Sequence, residues 1–113
     1  MVKNKSYVPD RGEVVWLNFD PQSGHEQRGR RPALVISPIE YNRKTNLAIF
    51  VPITSKVKGY PFEIRLESKV IDGVLLSDQI KSLDWNVRKA EFIEKISKTI
   101  MSEVISNIEL LIK

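Results

Sequence analysis

Cysteine is absent from this 113-residue chain, and histidine occurs once, at His25. Without thiolates and with a single imidazole, the chain cannot build a closed zinc site, a disulfide framework or a thiol nucleophile. No stretch approaches the roughly 20 apolar residues that a membrane-spanning helix needs. The N-terminal lysines have no apolar stretch behind them, so this end does not read as a signal peptide. These absences favour a cytoplasmic protein that has no membrane segment and uses neither thiol nor metal.

Other common catalytic patterns are also missing. The acidic residues Asp20, Glu26, Asp72 and Asp78 could hold magnesium, but their spacing matches no ligand loop. No serine lies in the context of a nucleophile elbow, and no glycine-rich phosphate loop precedes a helix. The chemistry therefore has to come from charged and hydroxyl side chains.

The charge is distributed unevenly along the chain. Residues 1–60 hold ten Lys and Arg against five Asp and Glu, whereas residues 61–113 hold eight against nine. The first part therefore carries most of the formal net charge of +4. A basic region of this kind favours a polyanionic partner such as nucleic acid.

The hydrophobic pattern predicts a mainly β fold in a single domain, residues 1–113. β-Branched, aromatic and alternating stretches predict seven strands, at residues 13–19, 33–37, 47–53, 62–66, 74–76, 80–83 and 90–96. Residues 41–46 are polar, with room for one helical turn. After Ser97, a candidate N-cap, apolar residues recur at helical spacing up to Ile112. We therefore expect a small antiparallel β-barrel closed by a C-terminal α-helix.

Two long polar loops carry the candidate functional residues. The first, residues 20–32, holds His25, Glu26 and three arginines, and arginine forks match phosphate oxygens. The second, residues 54–61, begins with two hydroxyls and combines lysines with Tyr60. Cations interleaved with aromatic rings suit single-stranded nucleic acid. RNA brings its own nucleophile, the 2′-hydroxyl, so cleavage needs only a base, a cation and an acid.

Each candidate also has a purely structural interpretation. Arg31 could pair with Glu26, Thr54 could satisfy only a turn through its hydroxyl, and Tyr60 could pack instead of stacking on a base. Trp16, Trp85 and Phe19 are interpreted as core residues. The residues alone leave these alternatives open.

Four blocks of sequence resemble the MazF/PemK (Kid) family of toxin endoribonucleases. The first is residues 20–32, which read Asp-Pro-Gln-Ser-Gly-His-Glu-Gln-Arg-Gly-Arg-Arg-Pro. The others are residues 35–38 with 41–42, residues 51–54 with 58–62, and residues 72–74 with 78–82. The Lys-Gly-Tyr-Pro-Phe stretch favours the MazF branch.

The resemblance implies an SH3-like antiparallel barrel with a C-terminal α-helix, of the CcdB/MazF-like type. It also implies a homodimeric toxin of a type II toxin–antitoxin system that inhibits translation and growth. Such enzymes cleave single-stranded mRNA at short sequences without metal or other cofactor, leaving 2′,3′-cyclic phosphate and 5′-hydroxyl ends. A MazE-like antitoxin with an acidic tail is the expected partner, and operator DNA is bound only through the toxin–antitoxin complex.

The resemblance also assigns roles to residues of this chain. The implied catalytic set is Arg31, Thr54 and Glu26. Because arginine stays protonated, Glu26 is the candidate base, with His25 second. The expected RNA-binding residues are His25, Gln27, Arg28, Ser55, Lys56, Lys58, Tyr60, Asp78 and Gln79.

The sequence departs from the PemK branch in one place. That branch has an arginine two residues before the acid that matches Asp78, and here Leu76 stands there. The assignment centred on Arg31 and Thr54 is therefore preferred. Two other functions stay open: a CcdB-like toxin that poisons gyrase, and a barrel that binds RNA without cleaving it.

Overall fold

The structure is a computed structural model that describes residues 7–19 and 29–113. In this part of the chain seven strands and two helices follow one another. They are β1 (Glu13–Asn18), β2 (Arg30–Val35), α1 (Ile39–Thr45), β3 (Leu47–Thr54), β4 (Glu63–Arg65), β5 (Val74–Leu76), β6 (Lys81–Asp84), β7 (Glu91–Lys95) and α2 (Lys98–Ile112). The predicted mainly β fold with a C-terminal helix is confirmed.

The strands form one antiparallel sheet in the order β4-β5-β3-β2-β1-β7, with β6 also paired to β3. Strand β3 connects its parts because it uses a different partner along each portion of its length. It pairs with β6 over Leu47–Phe50, with β2 over Phe50–Pro52, and with β5 at Ile53 and Thr54.

Two apolar clusters stabilise the sheet. The larger one includes Val14, Leu34 and Leu75 and is completed by Ile100 and Val104 of α2. Burying one apolar stripe is what keeps an amphipathic helix in place. The N-cap prediction is confirmed as well, since Ser97 Oγ accepts a hydrogen bond from the Ile100 N–H at 3.2 Å.

The second cluster surrounds Phe50, Leu17 and Trp85. Trp85 is buried, as predicted, and its indole N–H donates to the carbonyl of Asn42 at 2.9 Å. The Asn42 side chain is fully buried, and its amide donates to the Ser37 carbonyl at 3.0 Å. These polar contacts anchor α1 to the sheet, because a buried amide without partners would be costly.

Strand β2 differs from its prediction. It begins at Arg30, three residues before the predicted start at Ala33, and it ends at Val35. The polar stretch Arg30-Arg31-Pro32 reads as loop, but each of its residues has a register partner on β1, namely Asn18, Leu17 and Trp16. Pairing with a neighbouring strand has overridden local composition here.

None of the helices within residues 7–19 and 29–113 has the length and apolar character needed to cross a membrane.

Gly73 lets β5 approach β3 closely. A Cβ built at this position would lie 2.6 Å from the carbonyl oxygen of Thr54 and 3.2 Å from Ile53 Cγ2. The residue before β5 must therefore be glycine if Thr54 is to keep its place.

Replacing this glycine should destabilise the protein. We expect Gly73→Ala to lower the free energy of unfolding by about 2 kcal/mol, the usual cost of overpacking a tight site. Urea denaturation measures the change. Gly59→Asn is the matched control, because Gly59 has a φ of +82° that asparagine tolerates and no atom within 4 Å of its built Cβ. Equal stability of the Gly73→Ala variant and the unmodified protein would contradict this role.

Candidate functional site

The site forms where β2 and β3 separate. Their pairing ends at Ala33 and Pro52, and β3 then pairs with β5. Neither Pro32 nor Pro52 has an N–H to add to the ladder. Two residues further along each strand stand Arg31 and Thr54, which the same register would set opposite each other and on the same face. The divergence opens space between them.

A groove of about 390 Å³ occupies this space. Four of the predicted site residues line it together: Arg31, Thr54, Ser55 and Lys56. The remaining lining residues are Trp16, Pro32, Ile53, Val70, Ile71 and Asp72. The groove thus has a cation and a hydroxyl on facing strands, with an apolar floor continuous with the larger core cluster.

Thr54 is held in place through its hydroxyl. Its Oγ1 accepts a hydrogen bond from the backbone N–H of Lys56 at 3.1 Å. This is the turn-stabilising bond of the structural interpretation. The two roles are compatible, because the oxygen acts as acceptor in this bond and the hydroxyl still has its own proton to donate.

Arg30 and Arg31 are adjacent but have different environments. Arg30 donates to Asn18 Oδ1 at 2.8 Å, to the Lys89 carbonyl at 3.0 Å and to Glu91 Oε1 at 2.9 Å. Arg31, by contrast, has an exposed side chain at the groove. Arg30 therefore has a structural role, because its guanidinium connects β2 to the segment that leads into β7.

In the structure the second loop spans residues 55–62, because β3 extends to Thr54 and β4 begins at Glu63. Two carboxylates hold this loop in place. Both oxygens of Glu63 accept backbone N–H groups, from Lys58 and Gly59, each at 2.9 Å. The Tyr60 hydroxyl donates to Asp78 Oδ1 at 2.9 Å. Partial burial and this carboxylate raise the pKa of Tyr60, so the phenol stays protonated and remains a donor. The residues of this loop that are predicted to contact RNA therefore belong to a segment whose conformation is fixed by hydrogen bonds.

Not all predicted residues line the groove. Lys58, Tyr60, Asp78 and Gln79 lie on the neighbouring loop and on the turn after β5. Asp78 contacts Tyr60, which gives it a supporting position in addition to its predicted role. The predictions for His25, Glu26, Gln27 and Arg28 lie outside the described residues.

Two groove residues were missed by sequence reasoning. Trp16 was interpreted as core, yet it is only partly buried and forms a wall of the groove beside Pro32, its register partner. Asp72 was not among the predicted site residues, yet its exposed carboxylate borders the groove. The available signal was that Trp16 lies in the half of β1 that is nearer to the first loop.

Within residues 7–19 and 29–113, no three His, Cys, Asp or Glu side chains group into a candidate metal site.

Comparison with models of known protein families assigns this chain to one of them. A model for the PemK-like, MazF-like toxin of type II toxin–antitoxin systems matches residues 10–112. The chain belongs to this toxin family.

Individual relatives agree with the family match. The endoribonuclease toxin MazF of Escherichia coli (strain K12) is 52% identical over 84 residues, which cover 74% of this chain and 76% of that protein. MazF (Form-I) from Deinococcus radiodurans is 49% identical, with a TM-score of 0.85 and coverage of 95% of this chain and 98% of that one. The MazE-MazF structure (Form-II) from the same organism is 44% identical, with a TM-score of 0.85 and coverage of 95% and 97%. The predicted family, fold class and enzyme class, an endoribonuclease toxin, are confirmed.

In this member of the toxin family, the two adjacent arginines should respond differently to replacement. We expect Arg30→Ala to lower the free energy of unfolding by about 2 kcal/mol, since it removes the charge-assisted hydrogen bonds of a partly buried side chain. Arg31→Ala should cost less than about 0.5 kcal/mol, as is usual for an exposed side chain. Urea unfolding of both variants checks the pair, and equal losses would refute the distinction.

Proposed function

We propose that the chain cleaves single-stranded mRNA at short recognition sequences without a metal ion, leaving 2′,3′-cyclic phosphate and 5′-hydroxyl ends. One observation carries this proposal: Arg31 and Thr54 meet at the groove that opens where β2 and β3 diverge. A guanidinium and a hydroxyl on facing strands can hold one phosphate between them.

The proposed reaction is an internal transesterification. The 2′-oxygen forms a bond to phosphorus, the bond from phosphorus to the 5′-oxygen breaks, and the proton of the 2′-hydroxyl passes to a base. A second proton neutralises the departing 5′-oxygen. Arg31 donates hydrogen bonds to the phosphate oxygens, where negative charge develops, and Thr54 orients the phosphate. Glu26 is the proposed base and His25 the second candidate.

RNA flanking the scissile phosphate is assigned to both loops. Ser55 and Lys56 line the groove itself, which supports assigning them contacts to the nearest nucleotides. Further contacts are proposed for Lys58, Tyr60, Asp78 and Gln79 on one side, and for His25, Gln27 and Arg28 on the other. A basic loop carrying an aromatic ring suits single-stranded RNA, because bases stack on the ring while cations follow the backbone.

The proposed partners follow from family membership. We assign the chain a homodimeric state, a MazE-like antitoxin and operator DNA bound only through the toxin–antitoxin complex, all in the cytoplasm, where mRNA is translated. The solved MazE-MazF complex, with a TM-score of 0.85, supports the antitoxin assignment. An acidic antitoxin tail would compete with RNA for the basic segment at residues 20–32.

Arg31→Ala tests the catalytic assignment. Loss of one donor to a developing oxyanion costs at least about a hundredfold in rate, so we expect RNA cleavage to fall by that factor. Single-turnover cleavage of a labelled RNA measures it, with circular dichroism to show that the fold is kept. Arg43→Ala removes the same charge from an exposed position on α1 and should cleave normally. Normal cleavage by folded Arg31→Ala would sink the assignment.

The ends of the products test the reaction class. We expect a long RNA incubated with the protein in EDTA to yield fragments with 2′,3′-cyclic phosphate and 5′-hydroxyl ends, because the nucleophile belongs to the RNA. End-specific ligation followed by sequencing identifies both ends. Retention of intact RNA would instead favour the binding-only barrel, and RNA that neither binds nor breaks would favour a CcdB-like gyrase poison.

A further inference from the structure

We propose that Glu63 is a positioning residue that holds residues 55–62 in the conformation that receives RNA. This inference rests on the proposed function, since that function assigns the loop to RNA. Glu63 itself is not one of the residues that line the groove. It acts through the backbone of the loop.

The geometry is that of a closed clamp. The Glu63 carboxylate accepts the N–H groups of Lys58 and Gly59, each at 2.9 Å, one on each oxygen. The backbone N–H of Glu63 donates in turn to the carbonyl of Tyr60 at 3.1 Å. The clamp thereby fixes the backbone between Lys58 and Glu63, including Gly59 at its positive φ of +82°.

The clamp is anchored to the rest of the fold. Glu63 begins β4 and pairs with Leu76 of β5. The carbonyl of the preceding residue, Phe62, accepts hydrogen bonds from the Ser77 hydroxyl at 2.6 Å and from the Ser77 N–H at 3.1 Å. Asn107 of α2 donates to Ser77 Oγ at 3.1 Å. The carboxylate therefore connects a polar loop to the sheet and the C-terminal helix.

Electrostatics alone cannot explain an acid at this position. Lys56 and Lys58 give the loop its attraction for a polyanion, and a nearby carboxylate weakens that attraction. The benefit of the Glu63 carboxylate therefore has to come from ordering the loop. When the loop is already ordered, RNA binding does not include the entropic cost of ordering it. The two explanations therefore predict opposite changes in RNA affinity when Glu63 is neutralised. A positioning role predicts weaker binding, whereas a purely electrostatic effect predicts tighter binding.

The experiment compares three variants with the unmodified protein. Glu63→Gln keeps the shape but leaves only one acceptor oxygen, and Glu63→Asp keeps the charge but is one methylene too short to span both amides. Glu67→Gln removes the same charge from an exposed side chain two residues after the end of β4. The substrate is a short RNA oligonucleotide that contains a site cleaved by the unmodified protein, and KM and kcat are measured separately. Amide hydrogen exchange at Lys58 and Gly59 is followed by NMR.

We expect both Glu63 variants to speed exchange at these two amides about tenfold and to raise KM roughly tenfold, the scale of one lost charge-assisted bond, while kcat changes less than about twofold. Glu67→Gln should leave exchange unchanged and KM equal or slightly lower. Unchanged exchange in both Glu63 variants would overturn the clamp. Faster exchange with an unchanged or lower KM would overturn its role in RNA binding.

The two proposals can fail separately. If the unmodified protein leaves every RNA intact, the proposed function fails, and the RNA role of Glu63 fails with it. If the unmodified protein cleaves and Glu63→Gln binds RNA equally well, only the role of Glu63 is overturned.

Discussion

The change of partner along β3 is the constraint on which the site depends. Over Phe50–Pro52 this strand is paired with β2, and at Ile53 and Thr54 it is paired with β5. The close approach of β5 is possible because Gly73 has no Cβ to collide with the Thr54 carbonyl. If β3 stayed with β2, the ladder would close over the space between Arg31 and Thr54. The groove is thus produced by the sheet itself and needs no separate cavity between domains.

The strands around this point are held firmly on the side away from the groove. Arg30 connects β2 to Asn18 of β1 and to Glu91 of β7, and the larger apolar cluster lies beneath the floor. Arg31 can therefore project from a strand whose backbone has little freedom. Side chains on paired strands keep their geometry better than those on loops, which is what a charge-stabilising group requires. The loops, in contrast, carry the residues that the proposed function assigns to RNA contacts.

Much of the fold was predictable, because the spacing of apolar residues along the chain indicates which side chains are buried. Strand β5 was predicted with its observed bounds, and α2 begins directly after the predicted N-cap, Ser97. Strand β2 was missed at its start because Arg30-Arg31-Pro32 has the composition of a loop, and only pairing with β1 makes it a strand. Local sequence cannot show such a partner. The family resemblance likewise proposed Arg31 and Thr54 as site residues. That both line one groove depends on the point at which β2 and β3 diverge, which the sequence does not show.

The sequence also could not separate two arginines that stand side by side. Successive residues of a strand point to opposite faces, so neighbours of identical chemistry meet different surroundings. Arg30 meets an amide, a carbonyl and a carboxylate, while Arg31 meets the groove. The same logic applies to acids near the basic loop: Glu63 and Asp78 lower its positive potential, yet their oxygens accept from backbone amides and from Tyr60. Acids that are engaged in this way shape the loop and leave exposed Lys56 and Lys58, which the proposed function assigns to RNA. A charge count along the chain gives only the net charge. The attraction of the loop for a polyanion depends on which charged groups are already engaged in hydrogen bonds.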